Sequence, residues 1–162
     1  MQSRWAAELI PDAPVGRVLD LAPATQHLGL VAVTLANRPL LCVDDDAEAR
    51  ESTMLDADLA GLAGDVEVRG SGAAPQQCQE TFAVVIAAPE VAPSDDSAAA
   101  LALVRACLAT AADHVTDGGH VLIRLDSLER VHHVSQTTTL TLVEVRAGER
   151  GLVARFDADP PC

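Results

Sequence analysis

Lysine and tyrosine are absent from this 162-residue chain, and other aromatics are scarce: one Trp and two Phe. All eleven basic residues are therefore Arg, and the core has to be filled by Ala, Val and Leu. Against those eleven stand 24 acidic residues, leaving a net charge of −13. A body this acidic repels phosphate backbones, so no direct binding of nucleic acid is expected. No apolar run approaches the roughly 20 residues of a membrane span. No basic segment followed by an apolar stretch opens the chain, so the expectation is a cytoplasmic protein. The four cysteines, Cys42, Cys78, Cys107 and Cys162, form no CxxC pair. A chain this long and this apolar needs no disulfide framework, so they are expected to be free thiols. The length fits one domain over 1–162, with 1–16 an amino-terminal helix and lead-in.

What is present is an alternation of short apolar runs and longer segments. Residues 3–10 read as a helix stopped by Pro11 and Pro14. Val18–Leu21, Leu40–Val43 and Phe82–Ala87 are continuous apolar runs of the kind that form strands buried on both faces. Val66–Val68 is a shorter strand. Helices are predicted over 27–36, over 46–60 with Asp46 as cap and Gly61 at the stop, and from Asp95 or Asp96 to about Val115. Gly118-Gly119 reads as a turn into a strand over His120–Leu125. Ser127–Val134 reads as a short helix. Thr137–Val145 alternates and is β-branched, Gly148–Gly151 is a turn, and Leu152–Phe156 closes a hairpin. Repeated strand–helix units imply parallel strands with right-handed crossovers. The expected fold is α/β: a Rossmann-like three-layer sandwich on a seven-stranded mixed sheet with a carboxy-terminal hairpin.

The run Val18-Leu19-Asp20-Leu21-Ala22-Pro23-Ala24-Thr25-Gln26 resembles the first motif, V-L-D-L-G-C-G-T-G, of the class I S-adenosylmethionine-dependent methyltransferases. Asp44 stands where that family places its ribose-binding acid. Val84-Val85-Ile86-Ala87-Ala88-Pro89-Glu90-Val91 lies over the N-P-P-[YF] motif of its small-domain members, and Gly118-Gly119-His120 over its turn into strand five. The resemblance implies an S-adenosylmethionine site made of Asp20, Ala22, Ala24, Gln26, Asp44, Ser71 and Ala88.

The departures fall on the chemistry. Ala22, Ala24 and Gln26 replace three glycines that let the ligand touch the main chain, and Pro23 removes an N–H. Arg69-Gly70-Ser71-Gly72 offers no acid for an adenine amine. Ala88 and Val91 replace the Asn and the aromatic that hold and stack the acceptor group. Two partial anchors survive, Asp20 and Asp44. Each charge-assisted hydrogen bond contributes about 1.5–3 kcal/mol, whereas a micromolar ligand needs about 8 kcal/mol. The expectation is a remnant site that binds S-adenosylmethionine weakly or not at all, with no catalytic residue, in a scaffold or partner subunit that associates with a protein partner or with itself. The amino-terminal helix with Trp5 and the hairpin strand are the candidate surfaces. The alternative is an active methyltransferase with a divergent loop, acting on a small molecule or protein.

Other constellations carry less. Asp44-Asp45-Asp46 are consecutive on a turn and cannot converge on a hard cation, so no metal is expected. His132 and His133 are adjacent and point apart on a helix. His27 follows the loop as a helix-start residue, and His120 opens a strand as a structural residue. A Rossmann oxidoreductase needs G-x-G-x-x-G after the first strand, where Ala22–His27 contains no glycine. A hydrolase needs a G-x-S-x-G elbow, which is absent.

Overall fold

A computed structural model describes residues 2–21, 30, 37–70, 80–90, 97–148 and 151–160. Among them the chain forms helices α1 (Gln2–Leu9), α2 (Ala47–Leu59), α3 (Ser97–His114) and α4 (Leu128–Ser135). Its strands are β1 (Val18–Leu21), β2 (Leu40–Val43), β3 (Val66–Arg69), β4 (Phe82–Ala87), β5 (Val115–Leu125), β6 (Thr141–Gly148) and β7 (Gly151–Asp157). They make one seven-stranded sheet in the order β3-β2-β1-β4-β5-β7-β6. The first five strands in that order run parallel, and β7 enters antiparallel between β5 and β6. This is the expected Rossmann-like arrangement.

The continuous apolar runs are continuous because both faces are covered: every residue of β1, β2 and β4 is buried. Successive side chains alternate between two cores. Leu19, Leu41, Val85 and Ile123 pack with Val104 and Leu108 of α3 and Val131 of α4. Val18, Leu40, Val84 and Leu122 pack with Trp5 and Leu9 of α1, with Leu30 and with Ala57 of α2. The segment predicted as a helix over 27–36 lies outside the described residues except for buried Leu30.

The lead-in after α1 is tied down by one side chain. Arg38, just before β2, donates to the carbonyls of Ile10 (2.9 Å) and Ala13 (3.2 Å) and also to that of Pro14. Between β3 and the segments leading into β1 and β4, Arg17, Glu67, Arg69 and Glu80 form a closed ring of ion pairs. The two guanidiniums, Arg69 first, hold the Glu67 carboxyl below its ordinary range.

Two strand starts move by four residues or more from the sequence reading, and one side chain is placed differently. Strand β5 begins at Val115, not His120, because the pairing with β4 resumes across an irregularity: Phe82 pairs with Val115 and Val84 with His120. Gly118 and Gly119 therefore sit inside a bulged strand. A Cβ on Gly119 would lie 2.8 Å from the carbonyl oxygens of both Ala83 and Thr116, so the close approach requires glycine. Strand β6 starts at Thr141, four residues later than expected, because Thr137 closes the end of α4 and Thr138 the turn that follows it. The Thr137 N–H donates to Val134 O, and Thr138 Oγ1 accepts from Leu140 N. Trp5, expected on a surface, is 2% exposed; its indole belongs to the core beneath the hairpin.

Candidate functional site

Strand order reverses at β1, which is flanked by β2 on one side and β4 on the other. In open α/β sheets the crevice at the carboxyl ends of such strands is where ligands bind. The predicted residues that the structure describes, Asp20, Asp44 and Ala88, all fall there.

Asp20 is the third residue of β1, in register with Cys42 of β2 and Ile86 of β4. It is fully buried. Its charge reaches two thiols. Cys42 is pushed well above the ordinary thiol range by burial first, then by Asp20 and Asp44. Cys107 of α3 is pushed up to about 11 by burial and then Asp20. Both are free cysteines, and both stay protonated near neutrality, which deprives them of nucleophilic character.

Asp44 follows β2 directly. Its N–H donates to Arg69 O, and its Oδ1 accepts from Asp46 N at 2.9 Å. Asp46 Oδ1 in turn accepts from Glu48 N and caps α2, as the sequence predicts. Two of the three consecutive acids thus serve backbone N–H groups. Among the described residues no three His, Cys, Asp or Glu side chains group as metal ligands. Arg50, on the first turns of α2, folds back and donates to the carbonyls of Asp44 and Asp45, each at 2.9 Å. It also borders Gly70, where a Cβ would lie 3.5 Å from Arg50 Nη1. A guanidinium therefore lies between the turn after β2 and the segment that follows β3, a contact that no motif in the sequence announces.

At the end of β4, Ala88 and Pro89 are buried and Glu90 is exposed. The Gln2 carboxamide lies against this end. Its Nε2 donates to Ala87 O (2.9 Å) and Leu122 O (3.1 Å), bridging β4 and β5. Gln2 is itself buried, at 4% exposure. Sequence reasoning missed it, since its partners lie 85 and 120 residues away. Ala22, Ala24, Gln26, Ser71 and Val91, together with His27, lie outside the described residues.

The remaining histidines lie apart from this crevice. His120 Nδ1 is 2.9 Å from Asp157 Oδ1. A carboxylate only accepts, so Nδ1 carries the proton. Arg155 grips the same carboxylate through Nε (2.8 Å) and Nη2 (2.6 Å). His132 and His133 are exposed on α4. Among the described residues no helix is long and apolar enough to cross a membrane.

No family model matches the chain, and no curated protein matches it in sequence. Solved structures do match in shape. TrmN from Thermus thermophilus superposes with a TM-score of 0.77 at 18% identity, over 96% of this chain and 48% of that one. This chain thus spans about half the length of that protein. The ribosomal protein L11 methylase from Lactobacillus delbrueckii subsp. bulgaricus gives 0.73 at 16% identity, over 98% and 79%. An RNA methyltransferase from Salinibacter ruber, solved with S-adenosyl-L-homocysteine, gives 0.66 at 16%, over 99% and 92%. The likeness is one of fold: the class I methyltransferase architecture.

Proposed function

We propose that this chain, which carries the class I methyltransferase fold, is a non-catalytic member of that architecture: a scaffold or partner subunit with a degenerate S-adenosylmethionine site. The observation that carries the reading is the end of β4. Where a methyltransferase of the resembled kind presents an Asn to the acceptor group, this chain has Ala88, buried and without a polar atom on its side chain. The neighbouring carbonyl, Ala87 O, is taken by the chain's own Gln2 amide. Fold alone fixes no activity; the site's side chains have to supply it, and here the amide and the aromatic that would orient an acceptor are missing from the sequence.

The cofactor half of the site supports the same reading through its sequence. Ala22, Ala24 and Gln26 carry Cβ atoms where glycines would admit a ligand to the main chain. Asp20 and Asp44, at the ends of adjacent strands, are what an active ancestor would leave behind. They are also what favours the second reading, an active methyltransferase with a divergent loop.

The two readings separate on a gain-of-binding experiment. Replacing Ala22, Ala24 and Gln26 together by Gly should tighten binding of S-adenosylhomocysteine in equilibrium dialysis relative to the parent chain. If the parent already binds at low micromolar and the triple variant binds no better, the non-catalytic reading falls and the active one takes its place.

A further inference from the structure

Strand β6 ends the sheet, and its outer edge is open among the described residues. Thr141 through Glu144 are exposed, including the apolar Leu142 and Val143, which lie next to each other in the strand. The strand holds no Pro and no Lys, two of the devices that blunt an edge. Its only charges are Glu144 and Arg146, which sit on one face with Arg146 Nε 2.7 Å from Glu144 Oε1.

The backbone of β6 can be sorted by direction. Ala158 N donates to Gly119 O, so the even-numbered residues of β7 turn their backbone groups toward β5. The odd-numbered residues, Val153 and Arg155, therefore turn theirs toward β6, where they pair with Arg146 and Glu144. Antiparallel ladders alternate. Hence Glu144 and Arg146 are bonded inward, and Val145 and Ala147 present their N–H and C=O groups outward.

We propose that this edge pairs antiparallel with β6 of a second copy, about a two-fold axis at Val145. Outward-facing residues must pair with outward-facing residues, so Val145 can lie opposite Ala147 or opposite Val145 of the other copy. Val145 opposite Ala147 sets Arg146 against Arg146. Val145 opposite Val145 sets each Glu144 against the other copy's Arg146, in the non-hydrogen-bonded positions where side chains approach closest. Opposite charges directly across a ladder stabilise and like charges oppose. The strand is self-complementary in one register of the two. The bulge at Val143, where pairing with β7 slips, ends the regular stretch and keeps the ladder short. A single short ladder buries less than about 1,200 Å², the lower bound of stable interfaces, so the dimer is a concentration-dependent one. A two-fold contact is closed, and association stops at two copies. The inference rests on the non-catalytic reading only in supplying its partner; the strand geometry is independent of the cofactor site.

Sedimentation equilibrium of the whole chain up to about 1 mM tests it. A monomer–dimer equilibrium is expected. Val145→Pro removes an outward N–H that the monomer does not use and should give a monomer, with a lowered thermal midpoint because the Val145 side chain packs against the core. Arg146→Glu should also give a monomer, while the double exchange Glu144→Arg, Arg146→Glu should dimerise again. That rescue keeps the test decisive if the proline variant misfolds. A chain that stays monomeric throughout, or that associates equally in the parent, Arg146→Glu and double-exchange forms, or that grows beyond a dimer, overturns the proposal. Titrating the same samples with S-adenosylhomocysteine separates the two readings: tight binding strikes the non-catalytic role and leaves the dimer standing.

Discussion

The guanidinium carbon of Arg146 lies 4.0 Å from the ring centroid of Trp5. One residue belongs to the outermost strand of the sheet and the other to the first helix. The contact closes that helix onto the hairpin. Trp5 is a core side chain packed with Leu9, Ile10 and Val153, and Arg146 lies over it while also reaching Glu8 (3.3 Å).

That arrangement makes Trp5 the expensive residue of the pair. Trp5→Ala should destabilise by about 3–5 kcal/mol, the range for removing a large buried aromatic. Arg146→Met, which keeps an apolar stem over the ring, should leave the urea midpoint almost where it was. Equal losses for the two would mean that the charge, not the burial, holds the helix.

The two adjacent glycines of β5 should behave differently. Gly118 has φ of +71°, with only Pro14 Cγ, at 3.8 Å, near a built Cβ. Gly118→Ala should cost the left-handed penalty alone, about 1–2 kcal/mol. Gly119 has two backbone oxygens at 2.8 Å from a built Cβ, so Gly119→Ala has to move β4 against β5 and should cost more. Denaturant titration of the two variants checks the order, and a reversed order would contradict the bulge geometry.

Asp157 sets an acid-side dependence. Burial pushes its carboxyl up, but the Arg155 hydrogen bonds and the nearby His120 outweigh that and hold it below the ordinary value. A depressed folded-state value means a contribution that is whole above the unfolded value of about 3.9 and lost as pH falls through the folded one. Asp157→Asn should therefore be less stable than the parent at pH 7, with the gap closing as the pH is taken below about 4. A gap that persists unchanged at pH 2 would show that the residue acts through packing instead.

Much of this is legible in the residues alone. Val18–Leu21, Leu40–Val43 and Phe82–Ala87 are strands because a sheet covered on both faces leaves no polar side in the pattern, save Asp20, whose place in a buried strand itself marks the crevice. Asp46 is readable as a cap because capping is a short-range hydrogen bond. Gln2 is not readable, since nothing near it in sequence records that two carbonyls from β4 and β5 will meet its amide. Arg50 is hidden for a related reason: its charge reads as an ordinary helix-surface residue until the turn it braces is folded. Trp5 is misplaced because a lone aromatic on a short helix carries no mark of which face the hairpin will cover. Thr137–Leu140 read as strand because β-branched residues favour one, and the hydrogen-bond needs of a helix end override that preference.

Thiol chemistry offers an independent look at the crevice. With Cys78 and Cys162 replaced by Ser, the native chain should react with a thiol reagent at pH 8 far more slowly than the unfolded chain, since burial and the Asp20 carboxylate keep Cys42 and Cys107 protonated. Fast native labelling of Cys42 would mean that the strand ends open to solvent.

On the non-catalytic reading the surviving acids do not make a working cofactor site, and calorimetric titration of the parent chain with S-adenosylmethionine and S-adenosylhomocysteine decides it. The expected result is a dissociation constant above about 100 μM, worth less than about 5.5 kcal/mol, with Asp44→Ala changing little. Binding at low micromolar that Asp44→Ala abolishes would contradict the account and make the chain a ligand-binding methyltransferase.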